Sequence, residues 1–124
     1  MDDLIAGISD IRLYKPAPLS LTPNMTVCAT EDIARDTILG YIKGEQMYIW
    51  ECDHDKGVVI IDDTYVIDAG NNILSYIREG SLHGLVRNCT LFIEGGPGTE
   101  QIGMKTIADI PRGAELSYYA GILE

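Results

Sequence analysis

Short runs of β-branched and aromatic residues, separated by turn-forming residues, constrain the fold of this chain more than any other feature. The runs are "MTVCAT", "TILGYIKG", "GVVIIDDTYVIDAG", "CTLFIEGG" and "IGMKTIADI". Such runs between clusters of glycine, proline and aspartate predict strands of about five residues joined by tight connections. The segments "DHDKG" and "EGGPG" are typical of hairpin turns, because glycine accepts the positive φ angles that these turns need. We therefore expect a mostly β fold.

Helical spacing is confined to two short segments. In "NNILSYIRE", Ile73, Tyr76 and Ile77 recur at helical spacing after a predicted cap at Asn71 and Asn72. The second segment is "GEQMYIWE". We expect a turn or two of helix in each.

The sequence contains two similar segments. Residues 32–35, "DIAR", followed by Leu39 and Tyr41, match residues 109–112, "DIPR", followed by Leu116 and Tyr118 at the same spacing. A solenoid needs three or more units of regular period. Two copies instead predict two similar hairpin corners in a small all-β domain.

The length and the proline distribution indicate how the chain is divided. A chain of 124 residues suits a single domain with its own core. The stretch up to residue 23 is the least periodic, and Pro16, Pro18 and Pro23 favour an extended conformation. We expect an N-terminal arm over residues 1–23 and a folded domain over residues 24–124.

Charge and composition exclude several classes of function. The net charge of −10, from 19 acidic and nine basic side chains, opposes direct binding to nucleic acid and favours a basic partner, although ordinary solubility also explains it. No apolar run reaches the ~18 residues of a membrane span, and the acidic start is unlike a secretory signal. Three separated cysteines and two histidines support neither a disulfide framework nor a metal site. We expect an intracellular protein, nuclear or cytoplasmic and not secreted.

Three stretches of the chain, in order, resemble the SET domain, the fold of protein-lysine methyltransferases that use S-adenosylmethionine. They are "VCATEDIARDTILGYIKGE", "MYIWECD" through "YVIDAGNNILSYI", and "RNCTLFIEGGPGTEQIGMKTIADIPRGAELSYY". The resemblance covers roughly residues 24–121. It implies a β-clip-like fold of short strands with one short helix and a C-terminal pseudoknot.

The resemblance also implies which residues hold the cofactor. Asn24, Met25 and Thr26 stand where the family has Gly-x-Gly. Asparagine accepts a positive φ at modest cost, whereas the β-branched Thr26 would be strained there. The other implied positions are Arg78, Glu79, Gly80, Asn88 and Cys89. The resemblance leaves Arg78 to pair with the cofactor carboxylate or with Glu79.

The family's catalytic tyrosine usually stands five residues after the glutamate of the "E-L" pair, which here is Ala120. Tyr119 is one residue earlier and faces the other way on a strand, so either a β-bulge brings it into register or the tyrosine is absent. Tyr119 and Tyr118 are therefore the catalytic candidates. The resemblance offers Tyr41, Tyr48, Trp50 and Tyr65 as walls of a lysine channel, although aromatic residues in a β-rich domain usually serve packing.

Three functions remain open at this point. The first is S-adenosylmethionine-dependent methylation of a lysine in a basic, histone-like protein or tail. The second is a catalytically silent SET-like module that binds a protein partner. The third is a small β-barrel unrelated to SET domains. The family's cysteine-rich C-terminal segment is absent, and because minimal and viral members that lack it sometimes dimerise, the resemblance also admits a homodimer.

Overall fold

The β-rich runs form short strands in the computed structural model, which describes residues 18–70 and 72–124. The strands in these ranges are β1 (Leu19–Leu21), β2 (Val27–Ala29), β3 (Ile38–Ile42), β4 (Glu45–Tyr48), β5 (Val58–Ile60), β6 (Tyr65–Asp68), β7 (Arg78–Glu79), β8 (Cys89–Glu94), β9 (Gln101–Thr106) and β10 (Ser117–Tyr118). Two 3₁₀ helices span Ile49–Glu51 and Ile73–Tyr76, and the α-helix α1 spans Gly80–His83. The predicted mostly β fold with a short helix is confirmed. None of the helices in these ranges has the length and apolar character needed to cross a membrane.

The described strands form four small sheets around a common core. Two sheets are three-stranded and antiparallel, in the orders β3-β9-β8 and β4-β6-β5. The strands β1 and β2 form an antiparallel hairpin, and β10 pairs with β7 in parallel. The largest core side chains are almost fully buried: Leu39, Ile73, Leu74, Leu91, Met104, Ile110, Leu116 and Tyr118. Burying an aliphatic side chain of this size contributes about 1.5–3 kcal/mol, so the shared core stabilises sheets that are too small to be stable alone.

The two predicted hairpin turns have different outcomes. The segment "EGGPG" joins the paired strands β8 and β9, and Gly95 and Gly98 have φ angles of 106° and 79°. That prediction is confirmed. The prediction for "DHDKG" is wrong, because the strands before and after it, β4 and β5, both pair with β6 and lie on opposite sides of it. The connection must therefore cross the width of a strand, which a tight turn cannot do.

The two similar segments, which begin at Asp32 and Asp109, form two corners that pair with each other. Ile33 and Ile110 exchange backbone hydrogen bonds of 2.8 Å in both directions. The Asp32 carboxylate accepts from the Arg112 backbone N–H at 2.9 Å, and Asp109 accepts from the Arg35 N–H at the same distance. Each aspartate thus completes the turn of the other copy, which gives the corners an approximate twofold relation.

The predicted helical segments are shorter than a regular helix. In the second 3₁₀ helix the Asn72 side chain accepts a hydrogen bond from the Leu74 N–H at 3.0 Å, as expected for a cap. Asn71 lies outside the described residues. In "GEQMYIWE" most residues belong to strand β4, and one 3₁₀ turn follows.

Part of the predicted N-terminal arm lies in the described chain. Residues 1–17 lie outside it. Strand β1 pairs with β2 residue by residue, from Leu19 with Ala29 to Leu21 with Val27. Leu19 is buried in the core cluster, so residues 19–21 pack as an integral strand.

The C-terminal segment, residues 115–120, runs between the two limbs of one loop. On one side, β10 pairs with β7. On the other side, the Asn88 amide donates to the Glu115 carbonyl at 3.0 Å and accepts from the Ser117 N–H at 2.9 Å. The Asn88 N–H also donates to the Ser117 carbonyl at 3.1 Å. A segment held on both sides by a single loop is the arrangement that a C-terminal pseudoknot requires.

We expect Asn88→Ala to lower the free energy of unfolding by about 1–3 kcal/mol, because it removes two side-chain hydrogen bonds and leaves the N–H of the buried Ser117 unpaired. Urea unfolding followed by circular dichroism measures the change. The variant Asn88→Asp keeps the acceptor for Ser117 and should lose less. An unchanged midpoint in Asn88→Ala would mean that this clamp is not important to stability.

Candidate functional site

A cleft with a volume of about 720 Å³ lies where the β1–β2 turn, strand β5 and strand β7 meet. Five of the eight predicted cofactor residues line it, and they are Asn24, Met25, Thr26, Arg78 and Glu79. They belong to segments about fifty positions apart in the chain. The fold therefore brings together two distant segments that the resemblance assigned to the cofactor.

The turn between β1 and β2 shapes one wall of this cleft. Its positive φ occurs at Met25, at 63°, and at neither Asn24 nor Thr26. The Met25 N–H donates to the Thr22 carbonyl at 2.9 Å, and the Thr22 and Thr26 hydroxyls lie 2.7 Å apart. The expected strain at Thr26 does not arise, because the left-handed residue is the one before it.

Strand β5 forms the opposite wall, and sequence reasoning missed it. Val58 and Ile60 line the cleft, whereas Val59 between them is buried in the core. Side chains alternate across a strand, so this pattern follows from the pleat. The sequence "GVVII" does not reveal this alternation, because every position in it is apolar.

Arg78 is engaged by a carboxylate on the cleft wall. Its guanidinium donates two hydrogen bonds to Glu115, at 2.6 and 2.8 Å. This bidentate contact raises the pKa of Arg78. The resemblance allowed Arg78 to pair with the cofactor carboxylate or with Glu79. In the structure Arg78 pairs with Glu115 and not with Glu79. The pair lies at the point where the C-terminal segment passes the cleft.

Glu79 is a buried carboxylate, 6% exposed, that organises the loop around it. One oxygen accepts from the Ser81 hydroxyl at 2.6 Å and from the Leu82 N–H at 3.0 Å, which caps helix α1. The other oxygen accepts from the Ala120 N–H at 2.6 Å. Burial opposes ionisation, but these donors outweigh it and lower the pKa of Glu79.

The two catalytic candidates occupy different environments. Tyr118 lines the cleft but is only 1% exposed, and its hydroxyl accepts from the Ile60 N–H at 2.7 Å. Burial raises its pKa strongly. Tyr119 does not line this cleft, and its hydroxyl donates to the Leu85 carbonyl at 2.6 Å. Strand β10 pairs with β7 at Ser117 and Tyr118 and ends before Tyr119, so the register of this pair does not reach the residue for which a bulge was considered.

The remaining three cofactor candidates, Gly80, Asn88 and Cys89, do not line the cleft. Asn88 holds the C-terminal segment as described above. A Cβ atom at Gly80 would lie 2.8 Å from the Tyr119 ring, so glycine is needed for close packing there. Cys89 is fully buried, and burial raises the pKa of its thiol to about 12, so it is an unreactive core residue.

A second cleft, of about 510 Å³, adjoins the first at Glu79. Ile60, Glu79 and Leu82 line both clefts and form the wall between them. Ala120 lines this second cleft. The position at which the family usually carries its tyrosine therefore faces the second cleft but carries only a methyl group.

The predicted channel tyrosines do not form one group, because Tyr41 lies in a different sheet from Tyr48 and Tyr65. Tyr41 is on β3, where its hydroxyl donates to Glu94 at 2.9 Å and its ring packs edge-on against Phe92. Tyr48 and Tyr65 stack on each other on the sheet β4-β6-β5, and Tyr48 also stacks on Trp50. None of these four predicted channel aromatics lines either of the two clefts.

Within residues 18–70 and 72–124, no group of three or more histidine, cysteine or acidic side chains is placed to hold a metal ion. No protein-family model matches the chain, and no curated protein sequence matches it significantly. The function of the two clefts is therefore inferred from their own residues.

The lowered pKa of Glu79 predicts acid sensitivity. The unfolded chain binds the proton of this carboxyl more tightly than the folded chain does. The contribution of Glu79 to stability is therefore complete above its ordinary pKa of 4.5 and declines as the pH falls through the lower folded value. We expect Glu79→Gln to cost about 1–3 kcal/mol near neutral pH, because the amide turns a donor toward a backbone N–H. Urea unfolding at several pH values should show the difference from the wild type shrinking below pH 4.5.

The matched control is Glu31→Gln, which changes an exposed carboxylate and should leave the unfolding free energy nearly unchanged at every pH. A constant difference between Glu79→Gln and the wild type across the acid range would contradict the assignment.

Proposed function

We propose that this protein binds S-adenosylmethionine in the larger cleft and methylates a lysine of a basic, histone-like protein. The observation that carries this proposal is the convergence of Asn24–Thr26 with Arg78 and Glu79 on one cleft of about 720 Å³. That volume is within the ~300–1,000 Å³ typical of small-molecule sites. We further propose an intracellular location, as either a monomer or a homodimer.

The charge of the larger cleft suits this cofactor. The acidic residues that line it are Asp55, Glu79 and Glu115, and the basic residues are Lys56, Arg78 and His83. With histidine neutral at pH 7, the two cations are Lys56 and Arg78. Three carboxylates against two cations leave a small negative excess, which favours a ligand with a net positive charge. S-adenosylmethionine is such a ligand, since its sulfonium and ammonium outnumber its carboxylate.

The two clefts suit a reaction in which cofactor and protein substrate enter from opposite sides. When bound, S-adenosylmethionine supplies an electrophilic methyl group. The task of the chain is to desolvate the target amine and hold it in line, since positioning accounts for most of the rate in such a displacement. The apolar side chain of Ile60 lines both clefts, and Glu79 holds the backbone beside it in place.

A catalytically silent SET-like module is the second candidate, and one observation favours it. Ala120 faces the second cleft at the position of the family tyrosine, and Tyr119 lines neither cleft. A silent module would retain the clefts and bind a protein partner without methyl transfer.

We expect S-adenosylmethionine to bind with a micromolar dissociation constant in calorimetric titration. Val58→Trp should abolish the binding, because the side chain at this position points into the cleft. Val58→Ala is the matched control at the same site and should retain it within a few-fold. Equal binding by both variants would place the ligand elsewhere, and no heat with wild-type protein would overturn cofactor binding.

We expect Ala120→Tyr to raise the rate of methyl transfer to a histone mixture by about tenfold or more, because a hydroxyl at this position would orient the amine. Radiolabelled methyl transfer measures the rate. If Tyr119 orients the amine instead, Tyr119→Phe abolishes transfer and Ala120→Tyr brings no gain. Calorimetric binding with no transfer by the wild type or by Ala120→Tyr would favour the silent module.

A further inference from the structure

Three aromatic rings form an exposed stack beside the second cleft. Tyr48 and Trp50 have ring centroids 4.7 Å apart and planes inclined by 5°, and Tyr48 and Tyr65 are 5.3 Å apart at 26°. Two rings that both lie nearly parallel to Tyr48 at about this distance cannot share one of its faces. Tyr48 is therefore the middle ring of the stack, which we call the aromatic ladder (Tyr65, Tyr48, Trp50).

The register of the sheet explains the stack. The Ile49 N–H donates to the Thr64 carbonyl at 2.7 Å, so the next pair, Tyr48 with Tyr65, is a non-hydrogen-bonded pair. In such pairs the facing Cα atoms are only ~4.5 Å apart, which brings the two side chains together. The backbone thus fixes the inner two rings.

The outer ring of the ladder is open to solvent. Trp50 is 70% exposed, while Tyr48, sheltered between its neighbours, is 42% exposed. Large aromatic residues usually bury most of their surface. An indole held rigid from one side and bare on the other presents a flat, pre-positioned π face.

Two acidic residues that lie near the ladder in the chain line the second cleft. Ile49, which lies between Tyr48 and Trp50 in the chain, lines the second cleft together with Asp62 and Asp63. The cleft lining contains no lysine, arginine or histidine in the described chain. One oxygen of Asp62 accepts from the Thr64 and Tyr65 N–H groups at 2.8 Å each, and the other has no hydrogen-bond partner within residues 18–70 and 72–124.

The strand edge next to the ladder is already covered. The Tyr48 N–H points away from β6, and the Glu51 carboxylate accepts it at 3.0 Å. A partner strand cannot pair there without displacing Glu51. Recognition at the ladder therefore falls to side chains.

We propose that the aromatic ladder and Asp62 and Asp63 bind the guanidinium group of an arginine in an extended basic segment of a partner protein. A guanidinium is planar, stacks on an indole face and donates two hydrogen bonds to carboxylate oxygens in its own plane. A ladder offers one flat face and does not enclose a spherical ammonium. The overall charge of −10 attracts such a segment. This inference does not depend on methyl transfer.

Trp50 is the single tryptophan of the chain, so intrinsic tryptophan fluorescence reports on the ladder alone. The probe is a glycine-spaced arginine peptide, compared with otherwise identical peptides that carry lysine or citrulline. We expect a saturable change with the arginine peptide and at least roughly tenfold weaker binding with the other two. Citrulline retains the planar shape and removes the charge, whereas lysine retains the charge and removes the plane.

Two variants keep the reporter and test the two parts of the surface. The double variant Asp62→Asn and Asp63→Asn should weaken the arginine peptide roughly tenfold and reduce the salt dependence of its binding. Tyr48→Leu should weaken it by removing the support beneath Trp50. Glu31→Gln, which changes a carboxylate outside this surface, should bind like the wild type.

Three outcomes would overturn the proposal. A flat fluorescence titration would mean that the ladder does not bind arginine. Equal affinity for the citrulline or lysine peptide would mean that a planar cation is not what is recognised. A fluorescence change that follows protein concentration without any peptide, accompanied by dimers in analytical ultracentrifugation, would mean that a second copy of the chain covers the ladder.

Discussion

The clamp on residues 115–120 is the interaction on which the rest of this structure depends. Glu79 holds the Ala120 backbone from one limb of a loop, and Asn88 holds Glu115 and Ser117 from the other. Buried polar groups of this kind are costly when unpaired and stabilising when every donor has its acceptor. Because all of these groups are paired, the segment can run through the interior and still satisfy its backbone.

The clamp also creates the two clefts. Glu79 lies in the wall between them, so the carboxylate that fixes the C-terminal segment also sets how far apart the two compartments are. Two of its three hydrogen bonds come from backbone N–H groups, those of Leu82 and Ala120, and the third comes from the Ser81 hydroxyl. Precise separation of two bound partners is the main requirement for a transfer reaction governed by positioning.

Local patterns in the sequence predicted local structure well and non-local pairing poorly. The turn at Gly95 and Gly98 and the cap at Asn72 follow from the conformations that these residue types prefer. The segment 53–57 has the same turn composition, but the pairing of both flanking strands with β6 decides its path, and the sequence does not encode that pairing locally. The cleft residues at 24–26 and 78–79 came from the family resemblance. Tyr41 was misplaced beside Tyr48 because a strand pattern does not show which sheet a strand joins.

The paired corners have a consequence for how the chain reaches this state. The reciprocal contacts at Asp32 and Asp109 connect residues 80 and 74 positions apart, and contacts of such long range slow folding because a large loop must close before they form. During synthesis the first corner emerges long before the second and has no partner for its backbone. Until residue 110 leaves the ribosome, the backbone of that corner lacks its native partner and is open to pairing with another strand.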